Sequence, residues 1–160
     1  MSFSFNKENL ERIEALRLRY PSPKALSLPC LWMAQYQEGQ ISLEAVETIA
    51  KVVDMPPMEV YRVATFYTMF NLEPVGKYHI QLCKTLSCAL RGKAEMLARL
   101  TERLGIEPGE SSEDGKYTLT QVECLGSCGT APVMQINDRY YENLTPEKID
   151  AILDTLEEES

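Results

Sequence analysis

Apolar residues recur at helical spacing through the first half of the chain and alternate with polar ones in parts of the second. Leu10, Ile13 and Leu16 share one face of a helix that Asn6 caps and that ends before Pro21. A second helix is predicted from Pro23 to Glu38, with Pro29 weakening its first turns and Gly39 stopping it. Ser42 caps a third, in which Leu43, Val46, Ala50 and Val53 repeat at helical spacing. Pro56-Pro57 opens a fourth, where Val60, Val63, Ala64 and Tyr67 form a single stripe. Helices this short are not stable alone, so the stripes are read as the core of a bundle, packed together or onto a partner.

From Val75 the period changes. Tyr78–Leu82 alternates like a strand and runs directly into Cys83. Met96, Leu97, Leu100 and Leu104 make one apolar helix face, closed by Gly105. The Asp114-Gly115 turn precedes a strand over Lys116–Glu123, rich in β-branched residues at Thr118, Thr120 and Val122. Val133–Ile136 and Arg139–Tyr141 flank Asn137-Asp138 as a hairpin. Thr145 caps a last helix that starts at Pro146 and buries Ile149, Ile152, Leu153 and Leu156. Strand, helix, three strands and helix is the order that a thioredoxin-like α/β domain requires. The predicted class is therefore α+β, with an N-terminal helical bundle over residues 1–74 and a thioredoxin-like α/β domain over residues 75–160.

Charge and composition remove several functions. Among 160 residues, 24 acidic against 16 basic side chains give a net charge of −8, which disfavours nucleic acid and anionic lipid as partners. No apolar run reaches membrane-spanning length; Val63–Phe70 is short and broken by threonines. The first residues lack the layout of a signal peptide, and Glu8 and Glu11 argue against a transit peptide, so a cytosolic location is expected. His79 is the single histidine, which leaves a zinc hydrolase or a Rieske centre without its ligands. In its alternating context His79 reads as an ordinary strand residue. The glycines form no G-x-G-x-x-G after a strand, so no dinucleotide site is expected on this chain.

The remaining chemistry lies in five cysteines: Cys30, Cys83, Cys88, Cys124 and Cys128. An odd number in a reducing compartment does not suggest a disulfide framework. Cys30, beside Pro29 and Trp32, reads as a buried apolar thiol. Cys83 and Cys88 form C-x4-C, Cys124 and Cys128 form C-x3-C, and 35 residues separate the pairs. Each pair falls where a predicted strand gives way to a loop. If those strands are neighbours, both loops leave the same sheet edge and four soft thiolates converge, a donor set for zinc or for an iron–sulfur cluster. Spacing alone leaves both open. Gly126 and Gly129 favour the cluster, because glycine lets backbone amides approach sulfur closely. Thr85, Ser87, Ser127 and Thr130 are either hydroxyl donors to such a cluster or ordinary turn residues. An acidic protein around a cluster that gains negative charge on reduction predicts a low reduction potential.

Three stretches together resemble a known family. These are Pro56–Tyr67, with its run PPMEVYRVATFY; Gly76–Cys88, around the first cysteine pair; and Glu123–Pro132, ECLGSCGTAP, around the second. Their sequence and order are similar to the thioredoxin-like [2Fe–2S] ferredoxin component of NADH-quinone oxidoreductase (respiratory complex I), from about residue 6 to 158. The resemblance implies that Cys83, Cys88, Cys124 and Cys128 each ligate a [2Fe–2S] cluster, two to each iron, and that Cys30 does not. It implies an electron-transfer subunit of an oxidoreductase, with no catalysis by this chain alone. The cluster would exchange single electrons with an FMN on a partner subunit that also binds NADH. Other peripheral-arm subunits of the complex are the further partners implied, placing the chain on the cytoplasmic side of the inner membrane without insertion into it. Related subunits serve NAD-linked hydrogenases and formate dehydrogenases, and a structural zinc module is the alternative from another class.

Overall fold

The computed structural model describes residues 3–158. The chain divides into two compact units at the Pro74–Val75 boundary.

The first unit is helical. Helix α1 (Lys7–Arg17) starts where the Asn6 side chain accepts a hydrogen bond from the Asn9 N–H, satisfying a donor that the first turn would otherwise leave free. The predicted second helix has two parts: a 3-10 turn, Pro23–Leu26, and then α2 (Ser27–Glu38). Pro29 is tolerated because it stands in the first turn of α2, where a missing N–H has no helical acceptor to disappoint. Gly39 ends α2 in the left-handed conformation at φ 79°. Helix α3 (Leu43–Val53) is capped by Ser42, whose hydroxyl accepts from the Ala45 N–H, and α4 spans Pro57–Phe66.

Burial corrects three positions in the predicted stripes. On α3 the core face is Ala45, Val46, Ile49, Ala50 and Val53, whereas Leu43 is 67% exposed. At 100° per residue, Leu43 sits about a quarter turn off that face. Leu10 is half-exposed on α1, where Ile13 alone is buried. Tyr67 is not part of the α4 stripe: the helix ends at Phe66, Tyr67 is extended, and its ring meets those of Phe66 and Phe70 edge-on. Val60 and Ala64 enter the core as expected.

The second unit is built on a four-stranded sheet of order β2-β1-β3-β4. Strand β1 (Tyr78–Cys83) pairs in parallel with β2 (Tyr117–Val122) and antiparallel with β3 (Met134–Ile136), which forms a hairpin with β4 (Arg139–Tyr141). The hairpin turns at Asn137, at φ 52°. A parallel pair needs a crossover, here a short helix α5 (Leu86–Leu90) followed by α6 (Lys93–Leu104). Helix α7 (Pro146–Glu158) packs against α6, where Arg99 and Arg103 both bond the Asp150 carboxylate. Ile80, Leu82, Leu100, Leu119, Met134, Ile149 and Leu153 form the buried core. The predicted element order is present, and α5 is an addition. Its five residues are too few for an apolar period to be read from them. Among the described residues, no helix is long and apolar enough to cross a membrane.

Candidate metal centre

The sheet carries both cysteine pairs to one edge. In the parallel register Cys83 lies opposite Val122, so Cys124 follows two residues beyond the strand end that neighbours Cys83. The Cys83 backbone is held from two directions: its N–H donates to the Val133 carbonyl at 3.1 Å, and the next N–H, of Lys84, donates to the Val122 carbonyl at 2.9 Å. An ion pair from Lys84 to Glu123, at 2.8 Å, ties the two strand ends together.

Helix α5 then turns the chain so that Cys88 returns beside Cys83. Both thiols are buried, in a small apolar cluster with Ala131 and Val133 that Leu125 partly covers. Burial acts to raise the Cys83 pKa. The Thr85 hydroxyl, 3.3 Å from the sulfur, opposes it together with the N–H groups of Thr85 and Leu125 and the Cys88 thiol, and the net direction is downward. Cys88 goes the other way, pushed up to about 11 by burial, by its bond to Cys83 and by the negative charge of Cys83 and Cys128. Cys88 thus bonds toward the Cys83 sulfur, with the Val133 N–H also facing Cys88.

The second pair is more open. Cys124 and Cys128 are both exposed. The Gly126 N–H, on a residue with φ 75°, points at the Cys124 sulfur at 3.3 Å, the close amide approach that glycine permits. Cys128 starts a 3-10 turn, Cys128–Thr130, and lies within electrostatic reach of Cys88. The structure therefore brings Cys88 within range of Cys83 on one side and of Cys128 on the other, while Cys124 is held by its own loop. Among the described residues, no three or more Cys, His, Asp or Glu side chains close into a group able to hold a metal ion.

Of the four candidate hydroxyl donors, only Thr85 meets a cysteine sulfur among the described residues. Ser127 and Thr130 instead donate to the Glu142 carboxylate, which holds that carboxyl below its usual range. Glu142 and Val133 carried no signal as site residues in the sequence, since each reaches the loops only through the fold, whereas Leu125 lies in the second cysteine loop and only its packing over the first pair came with the structure. His79 is the strand residue expected, its ring bonded to the Thr120 hydroxyl at 2.9 Å. Cys30 is buried in the helical unit, its thiol pushed up to about 11 by burial.

With this geometry established, comparison with known proteins identifies the lineage. The family described as thioredoxin-like [2Fe-2S] ferredoxin matches residues 13–157. The chain belongs to this ferredoxin family. A relative from Rickettsia bellii (strain RML369-C), named as the E component of NADH-quinone oxidoreductase, is 49% identical over 158 residues, covering 97% of this chain and 95% of its own. A protein named as a second E component of the same enzyme, from Rhizobium meliloti (strain 1021), is 43% identical over 145 residues, covering 91% and 86%. The same fold occurs in the crystal structure of an NAD+-reducing [NiFe]-hydrogenase in the air-oxidized state. Its TM-score is 0.73 at 24% identity, and the match covers 84% of this chain and 23% of that one. The ferredoxin match spans both units, so the helical half is part of the family pattern.

The cysteine chemistry fits the group that the family name implies. Four sulfur donors on two loops at one sheet edge, with backbone N–H groups of Thr85, Leu125, Gly126 and Val133 facing three of the sulfurs, suit an anionic iron–sulfur cluster. Metal-bound thiolates need acceptor-stabilising donors of this kind, and hard-ion sites would present oxygen instead.

Proposed function

We propose that this chain is the electron-transfer subunit of an NADH-quinone oxidoreductase, holding one [2Fe–2S] cluster through Cys83, Cys88, Cys124 and Cys128. When bound, the cluster supplies one-electron redox chemistry that no side chain of the protein provides. The observation that carries this reading is the parallel β1–β2 register, which delivers a cysteine pair from each strand end to the same edge in a chain of this ferredoxin family. The thioredoxin-like unit from Val75 onward would bear the cluster, with the bundle up to Pro74 as a separate unit.

The roles of the chain's own residues follow from their surroundings. Cys83 and Cys88 form the sheltered end of the site: Ala131, Val133 and Leu125 keep water from their sulfurs. The Thr85 hydroxyl and the neighbouring amides stabilise thiolate charge there. Cys124 and Cys128 form the exposed end, which leaves that side accessible to a redox partner. The partner proposed is a subunit carrying FMN and the NADH site, within a complex attached to the cytoplasmic face of the membrane. The names of the relatives support membership of a multi-subunit NADH-quinone oxidoreductase, and the flavin-bearing partner and the cytoplasmic face extend that reading.

Anaerobic preparation of the chain, with iron and acid-labile sulfide analysis and an electron paramagnetic resonance spectrum after reduction, tests the cluster. A reduced two-iron signal with equimolar iron and sulfide is expected; a colourless protein containing zinc and no sulfide would overturn it. Co-expression with the flavin subunit tests the partner, and persistent failure to co-purify would count against that part alone.

A further inference from the structure

The loop bearing Cys124 and Cys128 is fastened by a residue outside the ligand set. Glu142 follows β4, and a single oxygen of its carboxylate, Oε1, accepts hydrogen bonds from both Ser127 and Thr130. Ser127 immediately precedes Cys128, and Thr130 ends the three-residue turn that Cys128 begins. The backbone beyond Glu142 continues the seam: the Asn143 N–H donates to the Thr130 carbonyl at 2.7 Å, and the Leu144 N–H to the Pro132 carbonyl at 3.0 Å. Lys148, from the first turns of α7, donates in turn to the Glu142 carbonyl.

The turn itself has little to hold it. Cys128 and Gly129 are exposed, and nothing lies within 4 Å of where a Gly129 Cβ would be. Hydroxyls bonded to a carboxylate make charge-assisted bonds, stronger than bonds between neutral groups, and a hydroxyl has only one proton to give. The two hydroxyls also lie 2.7 Å from each other, and Thr130 Oγ1 is 3.2 Å from the Ser127 carbonyl, but the Glu142 carboxylate is the one charged acceptor within reach of both, so both protons are assigned to it.

We propose that Glu142 is the positioning residue for Cys128, locking Ser127 and Thr130 on either side of that ligand so that its sulfur is presented to the cluster in one orientation. The inference rests on the proposed cluster function and adds a residue to it that touches no sulfur. It acts through an acceptor oxygen. Because both bonds end on one oxygen, Glu142→Gln retains an acceptor, though an uncharged and weaker one, and Glu142→Ala retains none.

The test uses the full chain loaded with its cluster, releasing iron anaerobically into a chelator while the visible absorbance is followed. Glu142→Ala is expected to release the cluster several-fold faster than the parent and to broaden the reduced resonance signal, with Glu142→Gln closer to the parent than Glu142→Ala in both. The Ser127→Ala/Thr130→Val double variant should match Glu142→Ala, and adding Glu142→Ala to it should change nothing more. Release from Glu142→Ala at the parental rate, no recovery in Glu142→Gln, or additive effects in the combined variant would each overturn the proposal. A parent chain that takes up no iron and sulfide would defeat the cluster function instead, so the two failures are distinguishable.

Discussion

Replacing Gly76 with alanine tests how closely the strands that carry the two cysteine loops must approach. A Cβ built at Gly76 lies 2.8 Å from the Tyr117 carbonyl carbon, and 2.9 Å from both the Lys116 carbonyl carbon and the Tyr117 nitrogen. All three are backbone atoms, so no rotamer change relieves the overlap. Optimal carbon–carbon contact is about 3.5–4.0 Å, and the segment must move outward by roughly 0.7 Å or more. That movement pulls the Gly76 N–H from the Thr118 hydroxyl, now 2.7 Å away, and Thr118 is a buried residue whose hydroxyl also meets Ser111. Overpacking of this kind costs about 1–3 kcal/mol and the lost hydrogen bond about 1 kcal/mol more, for a total of about 2–4 kcal/mol. In a domain the size of the Val75–Ser160 unit, each kcal/mol lowers the melting temperature by about 4–8 °C, so a fall of at least about 8 °C is expected. The assay is thermal unfolding by circular dichroism of the cluster-free, reduced chain. Gly129→Ala serves as the control, since it adds the same methyl group where nothing lies within 4 Å and φ is not left-handed. If the two variants melt together, the close approach of Gly76 to β2 is not what the structure requires.

Three further outcomes are expected. Alanine at Cys83, Cys88, Cys124 or Cys128 should each remove bound iron and sulfide, whereas Cys30→Ala should retain both; normal cluster content in one of the four would remove that residue from the ligand set. Gln35→Leu should lower the urea midpoint of the helical unit, followed by Trp32 fluorescence. The Gln35 side chain donates to the Met69 carbonyl at 3.0 Å and accepts from the Asn71 N–H at 2.6 Å, and leaving both part-buried groups unpaired costs up to about 6 kcal/mol, at about 1–3 kcal/mol each. An unchanged midpoint would show that these groups find other partners. Finally, Asp150 is held below the usual carboxylate range by its hydrogen bonds from Arg99 first and Arg103 next. A depressed folded value means that this stabilisation is complete above the unfolded value, about 3.8, and is lost as pH falls through the folded one. Asp150→Asn should therefore unfold with a shallower pH dependence in strong acid, and an acid transition superimposable on the parent's would refute the linkage.

Most element positions were legible in the sequence, because the signals that mark them act within a few residues. Asn6 and Ser42 cap α1 and α3 through their own nearby N–H groups, and Gly39 and Gly105 end α2 and α6 in the left-handed region. That each cysteine pair falls where a strand gives way to a loop was equally plain. Where an apolar pattern was thin, it did not tell the inside of a helix from its flank, as Leu43, Leu10 and Tyr67 demonstrate. That β1 lies between β2 and β3 emerged with the fold, since strand order depends on which edges meet, and no local pattern encodes that. The surroundings of each sulfur emerged with it. The Val133 amide beside Cys88, the shelter over Cys83, and Glu142 accepting Ser127 and Thr130 join residues from separate elements. A hydrogen bond forms where the folded chain places donor and acceptor within about 3 Å, and sequence separation carries no record of that distance.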